Sequence, residues 1–172
     1  MKKERHTKSI KTMKKKKTIV AVSGGFDPVH VGHLRMFQEA KKLGDTLVVI
    51  LNNDHWLRNK KQVIFMPDYE RRELIEGFNE VDKVILTSHQ KDPSDMSVCN
   101  ELRRIHPHIF ANGGDRKPDG DPVPEVELCK KLGIKMVYNV GHGGKIQSSS
   151  WLLTDYVKKA AGKKPAAKKR KK

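Results

Sequence analysis

Residues 18–33 read TIVAVSGGFDPVHVGH, and this stretch decides the fold. Residues 18–23 form a β-branched apolar run of strand length with no polar alternation, the pattern of a strand buried on both faces. Gly24-Gly25 and Pro28 then punctuate a turn. From Val31 a helical spacing takes over through Leu34, Phe37 and Ala40, and Leu43 before Gly44 gives a plausible stop. A buried strand that turns straight into a helix is the first half of a β-α-β unit.

Working outward, the same grammar repeats. Residues 46–52 (TLVVILN) predict a second buried strand and residues 68–78 (DYERRELIEGF) an amphipathic helix with Leu74, Ile75 and Phe78 on its apolar side. Residues 83–86 predict a third strand, 96–105 a helix, 109–111 a short strand, 124–132 a helix entered by proline, and 135–139 a fifth strand. A last helix runs from about Ser149 into the basic C-terminal residues. Alternating strands and helices of this length predict an α/β fold: a Rossmann-like, five-stranded parallel sheet with helices on both faces. In such sheets ligands lie beyond the carboxyl ends of the strands, so the informative loops are 24–33, 52–62, 112–122 and 141–150.

The chain has 172 residues, the size of one domain, and a formal net charge of +16. That charge is unevenly placed. Residues 1–17 carry nine Lys/Arg against one Glu, and residues 158–172 carry nine against none, leaving 18 basic and 19 acidic groups between them. The expected organisation is therefore a basic N-terminal tail (1–17) too polar to order itself, a nearly neutral domain (18–157), and a basic C-terminal tail (158–172). Cys99 and Cys129 are too few and too far apart for a disulfide framework or a thiolate zinc site and read as buried thiols. No apolar run approaches the ~18 residues of a membrane span. Cytoplasmic residence is expected, and residues 163–172 resemble a nuclear localisation signal.

In the first loop, His30 and His33 stand three apart where strand becomes helix, so both rings can face one point. Gly24 and Gly25 let backbone approach a ligand, and a helix start offers N–H groups and a positive dipole end. Together these make a phosphate site whose imidazoles can strengthen their hydrogen bonds as charge builds. Neither G-x-x-x-x-G-K-[ST] nor G-x-G-x-x-G occurs, which argues against P-loop hydrolases and dinucleotide-dependent dehydrogenases.

The run G-G-F-D-P-x-H-x-G-H between strand and helix resembles the signature of the cytidylyltransferase-like nucleotidyltransferase superfamily. The resemblance extends over residues 18–157 and is nearest to the branch of glycerol-3-phosphate cytidylyltransferase and the adenylyltransferase domain of ADP-heptose synthases. Asn53-Asp54 followed by Lys60-Lys61 is similar to the family's acidic-then-lysine loop, and Tyr69-Glu70-Arg71 to the helix whose arginine reaches the site. Asn112-Gly113-Gly114-Asp115 resembles the glycine-aspartate loop on the substrate side, and Ser148-Ser149-Ser150 the family's S-T-[ST] element. Where the cytidylyltransferase branch often has an arginine before those serines, this chain has residues 141–147 (GHGGKIQ), with His142 and Lys145 as the available substitutes. Asn112 and Arg116 also depart from both named branches.

The resemblance implies direct transfer of CMP or AMP from CTP or ATP to a small phosphorylated acceptor, with pyrophosphate leaving. It assigns His30, His33, Lys60, Lys61 and Arg71 to catalysis. Gly24, Gly25, Phe26, Asp27, Gly32, Ser148, Ser149 and Ser150 fall to the nucleotide, and Asn112, Gly114 and Asp115 to the acceptor or ribose side. Mg²⁺ is expected through the triphosphate rather than through protein ligands. Family members are commonly homodimers. Plainer readings stand beside these: Lys60-Lys61 as a solvated loop, Arg71 as a surface partner of Glu70 or Glu73, and Trp56 and Trp151 as packing or substrate-wall residues. Two rival functions are a coenzyme-type adenylyltransferase and a non-catalytic polyanion binder working through non-specific nucleic-acid contact of its lysine tails.

Overall fold

Strand β1 (Ile19–Gly24) is the centre of the sheet, with β2 (Thr46–Leu51) hydrogen-bonded along one edge and β4 (Ile109–Gly113) along the other. β3 (Lys83–Leu86) extends the sheet beyond β2, and β5 (Lys135–Val140) extends it beyond β4. All four pairings are parallel and the order is β3-β2-β1-β4-β5. The computed structural model describes residues 17–113, 124–141 and 147–162. The helices are α1 (Val31–Lys41), α2 (Asp54–Lys61), α3 (Asp68–Glu76), α4 (Cys99–Ile105), α5 (Pro124–Leu132) and α6 (Ser149–Ala161).

The strand period of two divides the core. Val20, Val22, Leu47, Val49 and Leu51 point to one face, where Phe37 and Ala40 of α1 and Ile75 of α3 cover them. Ala21, Ile50 and Phe110 point to the other, under Leu102 of α4 and Leu128 of α5. Helices thus cover both faces of a five-stranded parallel sheet, as the uninterrupted apolar strands predict. Each fully buried side chain of this kind contributes about 1.5–3 kcal/mol. Cys99 and Cys129 are buried free thiols in the second cluster.

Two elements differ from expectation. Residues 54–61, expected as loop, are helix α2, although only Leu57 is buried there. Its ends hold it instead: Asn53 Oδ1 accepts the Trp56 amide at 3.0 Å, and Gln62 closes the helix in the left-handed region (φ 62°). α4 begins at Cys99 rather than residue 96. α6 runs from Ser149 to Ala161, into the basic tail as expected, and buries no residue. Among the described residues no helix is long and apolar enough to cross a membrane.

The connection from β1 runs to β2 on one side, whereas β4 returns on the other. The direction of winding therefore reverses between β1 and β4, which opens a crevice beyond their carboxyl ends.

Candidate active site

A cleft of ≈ 420 Å³ occupies that crevice. Gly24, Gly25 and Phe26 from β1 and its loop line it, together with His30, Gly32 and His33 at the start of α1. Trp56, Lys60 and Lys61 enter from α2, Asn112 and Gly113 from the end of β4, and Ser148, Ser149 and Ser150 from the start of α6. The paired imidazoles and the serine run, 115 residues apart from His33 to Ser148, share one cavity. Ser149 Oγ donates to the Pro28 carbonyl at 2.9 Å, which ties the two corners directly.

The two histidines are built into the helix they open. His30 is the N-cap of α1, and its Nδ1 accepts the Gly32 amide at 3.1 Å; His33 Nδ1 in turn accepts the His30 amide at 3.3 Å. Both Nδ1 atoms are acceptors, so each neutral ring carries its proton on Nε2, the remaining donor of a ring that lines the cleft. The rings stack with centroids 3.7 Å apart and planes 21° from parallel, and Phe26 meets the His33 ring edge-on at 4.8 Å. Burial, then the neighbouring His30 and Lys61 charges, push the His33 imidazole down to about 3, and burial followed by Lys61 lowers His30. The imidazoles are thus neutral donors at pH 7. The Gly32 amide, expected to face an anion, is instead taken by His30, so side chains rather than backbone carry the donors here.

Gly24 has a different reason from close ligand approach. A β carbon on it would lie 2.8 Å from Phe26 Cζ, because the Phe26 ring folds back beneath the loop with its own φ at 49°. Gly32 likewise leaves room for the His30 ring, which would stand 2.9 Å from a β carbon.

Lys61 reaches inward, donating to the Asp27 carbonyl at 2.9 Å, and burial lowers its pKa against the opposing pull of Asp27. Lys60 is exposed at the cleft margin. Ser148 gives its amide to Gln147 Oε1, and no side chain caps α6.

Two expected contact residues lie elsewhere. Arg71 is completely buried and is neither a surface partner of Glu70 or Glu73 nor a wall of the cleft. Its Nε donates to Met66 O (2.9 Å), its Nη1 to Gly25 O (2.6 Å) and Asn52 O (2.8 Å), and its Nη2 to Asp54 (2.6 Å). It fastens the ends of β1 and β2 and the start of α2 from below, a use of the guanidinium fork that no lysine reproduces. Asp27, 1% exposed, also turns away, its carboxylate accepting the Phe65 and Met66 amides at 3.0 and 2.7 Å. Both sit in the family motif, but motif spacing locates a residue without saying which side of the loop its side chain takes. Gly114 and Asp115, with Arg116, His142 and Lys145, lie outside the described residues.

Sequence reasoning left Met36, Gly141 and Gln147, which also line the cleft, without a role. Met36 is a buried residue of α1 that the sequence pattern did not single out, and it reaches the cavity at the end of the sheet where the winding reverses. Gly141 is placed by its amide, which donates to Glu39 of α1.

An α/β sheet with an imidazole-rich, phosphate-sized crevice at its winding reversal defines a nucleotide-handling enzyme. A family model described as cytidylyltransferase-like matches residues 21–137. The chain is 37% identical over 116 residues to the FAD synthase of Ferroglobus placidus, covering 67% of this chain and 70% of that protein. It is 35% identical over 136 residues to the FAD synthase of Thermoplasma volcanium, covering 76% and 88%. The crystal structure of the lipopolysaccharide core biosynthesis protein from Thermoplasma volcanium is similar at a TM-score of 0.60 and 30% identity, covering 74% of this chain and 99% of that one.

The chain belongs to the cytidylyltransferase-like family. It is a nucleotidyltransferase, moving AMP or CMP from ATP or CTP to a small phosphorylated acceptor and releasing pyrophosphate. The branch differs from the one the sequence resembles: these relatives are FAD synthases rather than glycerol-3-phosphate or heptose enzymes. The four-residue Asn112–Asp115 pattern that pointed to the latter is too short to carry acceptor identity.

Proposed function

We propose that the chain is an FAD-synthase-type adenylyltransferase, joining the AMP part of ATP to riboflavin phosphate (FMN). FAD is AMP linked through a pyrophosphate bridge to FMN, so likeness to FAD synthases points to that donor and that acceptor. In the reaction an oxygen of the acceptor phosphate attacks the α-phosphorus in line, the α–β bridging bond breaks, and pyrophosphate leaves with the electron pair. No covalent enzyme intermediate is needed. The protein's work is positioning and charge stabilisation.

The shared cleft supports the following division of roles. His30 and His33 donate from Nε2 to the α-phosphate and the departing pyrophosphate. Lys60 and Lys61 neutralise phosphate oxygens, and Ser148, Ser149 and Ser150 hold the β- and γ-phosphates. Gly24, Gly25, Phe26 and Asn112 shape the nucleotide cleft, while Arg71 and Asp27 hold its floor without touching substrate. The described cleft residues offer imidazoles, ammonium groups, hydroxyls and two amides but no carboxylate. Such a donor set suits Mg²⁺ that arrives with the triphosphate as part of the substrate.

The single observation that supports this reading is the meeting of the imidazole and serine corners in one cleft. A second reading, with a sugar phosphate as acceptor, is favoured by the likeness to the Thermoplasma lipopolysaccharide core biosynthesis protein. Pyrophosphate release is measured for ATP and CTP, each crossed with FMN, glycerol-3-phosphate and heptose-1-phosphate. ATP with FMN is expected to give the highest kcat/KM; faster release with a sugar phosphate, or with CTP, overturns the assignment.

A further inference from the structure

The cleft has two unlike flanks on either side of the histidine corner. Toward β4 and β5, Asn112, Gly113 and Gly141 supply one amide and otherwise backbone; toward α2 stand Trp56, Lys60 and Lys61. In-line transfer between two phosphates requires the bodies of donor and acceptor to extend to opposite sides of the reacting centre. An uncharged nucleoside suits the flank whose described residues carry no charge. The acceptor brings a phosphate of its own, and the flank with two ammonium groups complements it.

Trp56 is the unexplained member of that second flank. Its Nε1 already donates to the Met96 carbonyl at 2.8 Å, and Cζ3, on the opposite edge of the indole, lies 3.5 Å from where a β carbon on Gly25 would stand. The ring is therefore pinned at one edge, lies over the cleft floor at the other, and has no polar atom left for a ligand. An indole beside two ammonium groups fits a molecule that is flat at one end and anionic at the other. A polyol or sugar phosphate has no planar heteroaromatic ring to lay on the indole.

We infer that Trp56 stacks on a planar heteroaromatic ring of the acceptor while Lys60 and Lys61 take its phosphate, which makes Trp56 the residue that selects ring-bearing phosphate esters. The inference rests on the acceptor reading above, and two independent measurements separate them. FMN emission, which indole quenches on contact, is followed as the full chain is added, for the unaltered protein and for Trp56→Ala, Trp56→Phe and Trp151→Phe. Pyrophosphate release from ATP and FMN is measured on the same proteins.

Quenching is expected for the unaltered chain and for Trp151→Phe, and is lost in both Trp56 variants. Trp56→Ala raises KM for FMN by roughly 10-fold or more, the effect of losing one aromatic stack, and leaves KM for ATP within about two-fold. Trp56→Phe keeps a ring and so restores KM for FMN to within about three-fold. Quenching that survives in Trp56→Ala, or an unchanged KM for FMN in an active Trp56→Ala, overturns the stacking role even where FMN is the substrate. Quenching without pyrophosphate release keeps the stacking role and removes the adenylyl-transfer reading instead.

Discussion

Helices α1 and α6 both present their N-termini to the cleft, yet they are held in opposite ways. α1 buries Met36, Phe37 and Ala40 against the sheet, and its first turn is closed by the reciprocal His30 and His33 caps. α6 buries no residue, has no side-chain cap, and is joined to the first loop by the Ser149 hydroxyl. One jaw of the cleft is part of the core; the other rests on the surface beside it. On the roles proposed above, the donors to the reacting phosphorus sit on the core jaw, and the groups for the distal phosphates sit on the lightly held one.

Mutations sharpen this contrast. Phe37→Ala, at a fully buried position, should lower stability by about 3–5 kcal/mol in urea unfolding, whereas Leu152→Ala on α6 should lower it by about 1 kcal/mol or less. Equal losses would abolish the distinction between the jaws. His33→Ala should reduce kcat on the order of 10²-fold or more in steady-state assays, the usual loss for one donor to a developing charge; an unaltered kcat takes His33 out of the reaction. Ser149→Ala removes one hydrogen bond of about 1 kcal/mol, so KM for the triphosphate should rise roughly five-fold with little change in melting temperature.

A further effect lies in pH. The unfolded His33 imidazole binds a proton below about 6.5, while in the folded protein it stays neutral down to about 3. The unfolded state therefore binds more protons in that window: stability is intact above pH 6.5 and declines as pH falls toward 3. His33→Gln should make the decline shallower, as read from melting temperatures across that range.

The sheet was legible because its strands are apolar without interruption, and the one irregularity in periodicity, at residues 54–61, is where a helix held by its ends rather than its face went unseen. Most of the cleft lining was legible because loops that follow parallel strands converge at one end of the sheet. What stayed hidden was the direction of polar side chains. Arg71 and Asp27 both occupy motif positions, yet the carbonyls of Gly25 and Asn52 and the amides of Phe65 and Met66 claim them first. Unpaired backbone groups under a loop outbid a solvated ligand, and no spacing in the sequence records that competition. The imidazole caps were hidden for the same reason, since histidine is not among the common N-cap residues.

Those caps carry one more consequence. With each δ nitrogen turned to an amide hydrogen, neither ring keeps a vacant lone pair, so this corner can steady negative charge but cannot draw hydrogen away from an attacking group. The nucleophile has to arrive already ionised. A phosphate ester, whose second ionisation lies near pH 6, meets that condition in neutral solution, and a bare alcohol does not.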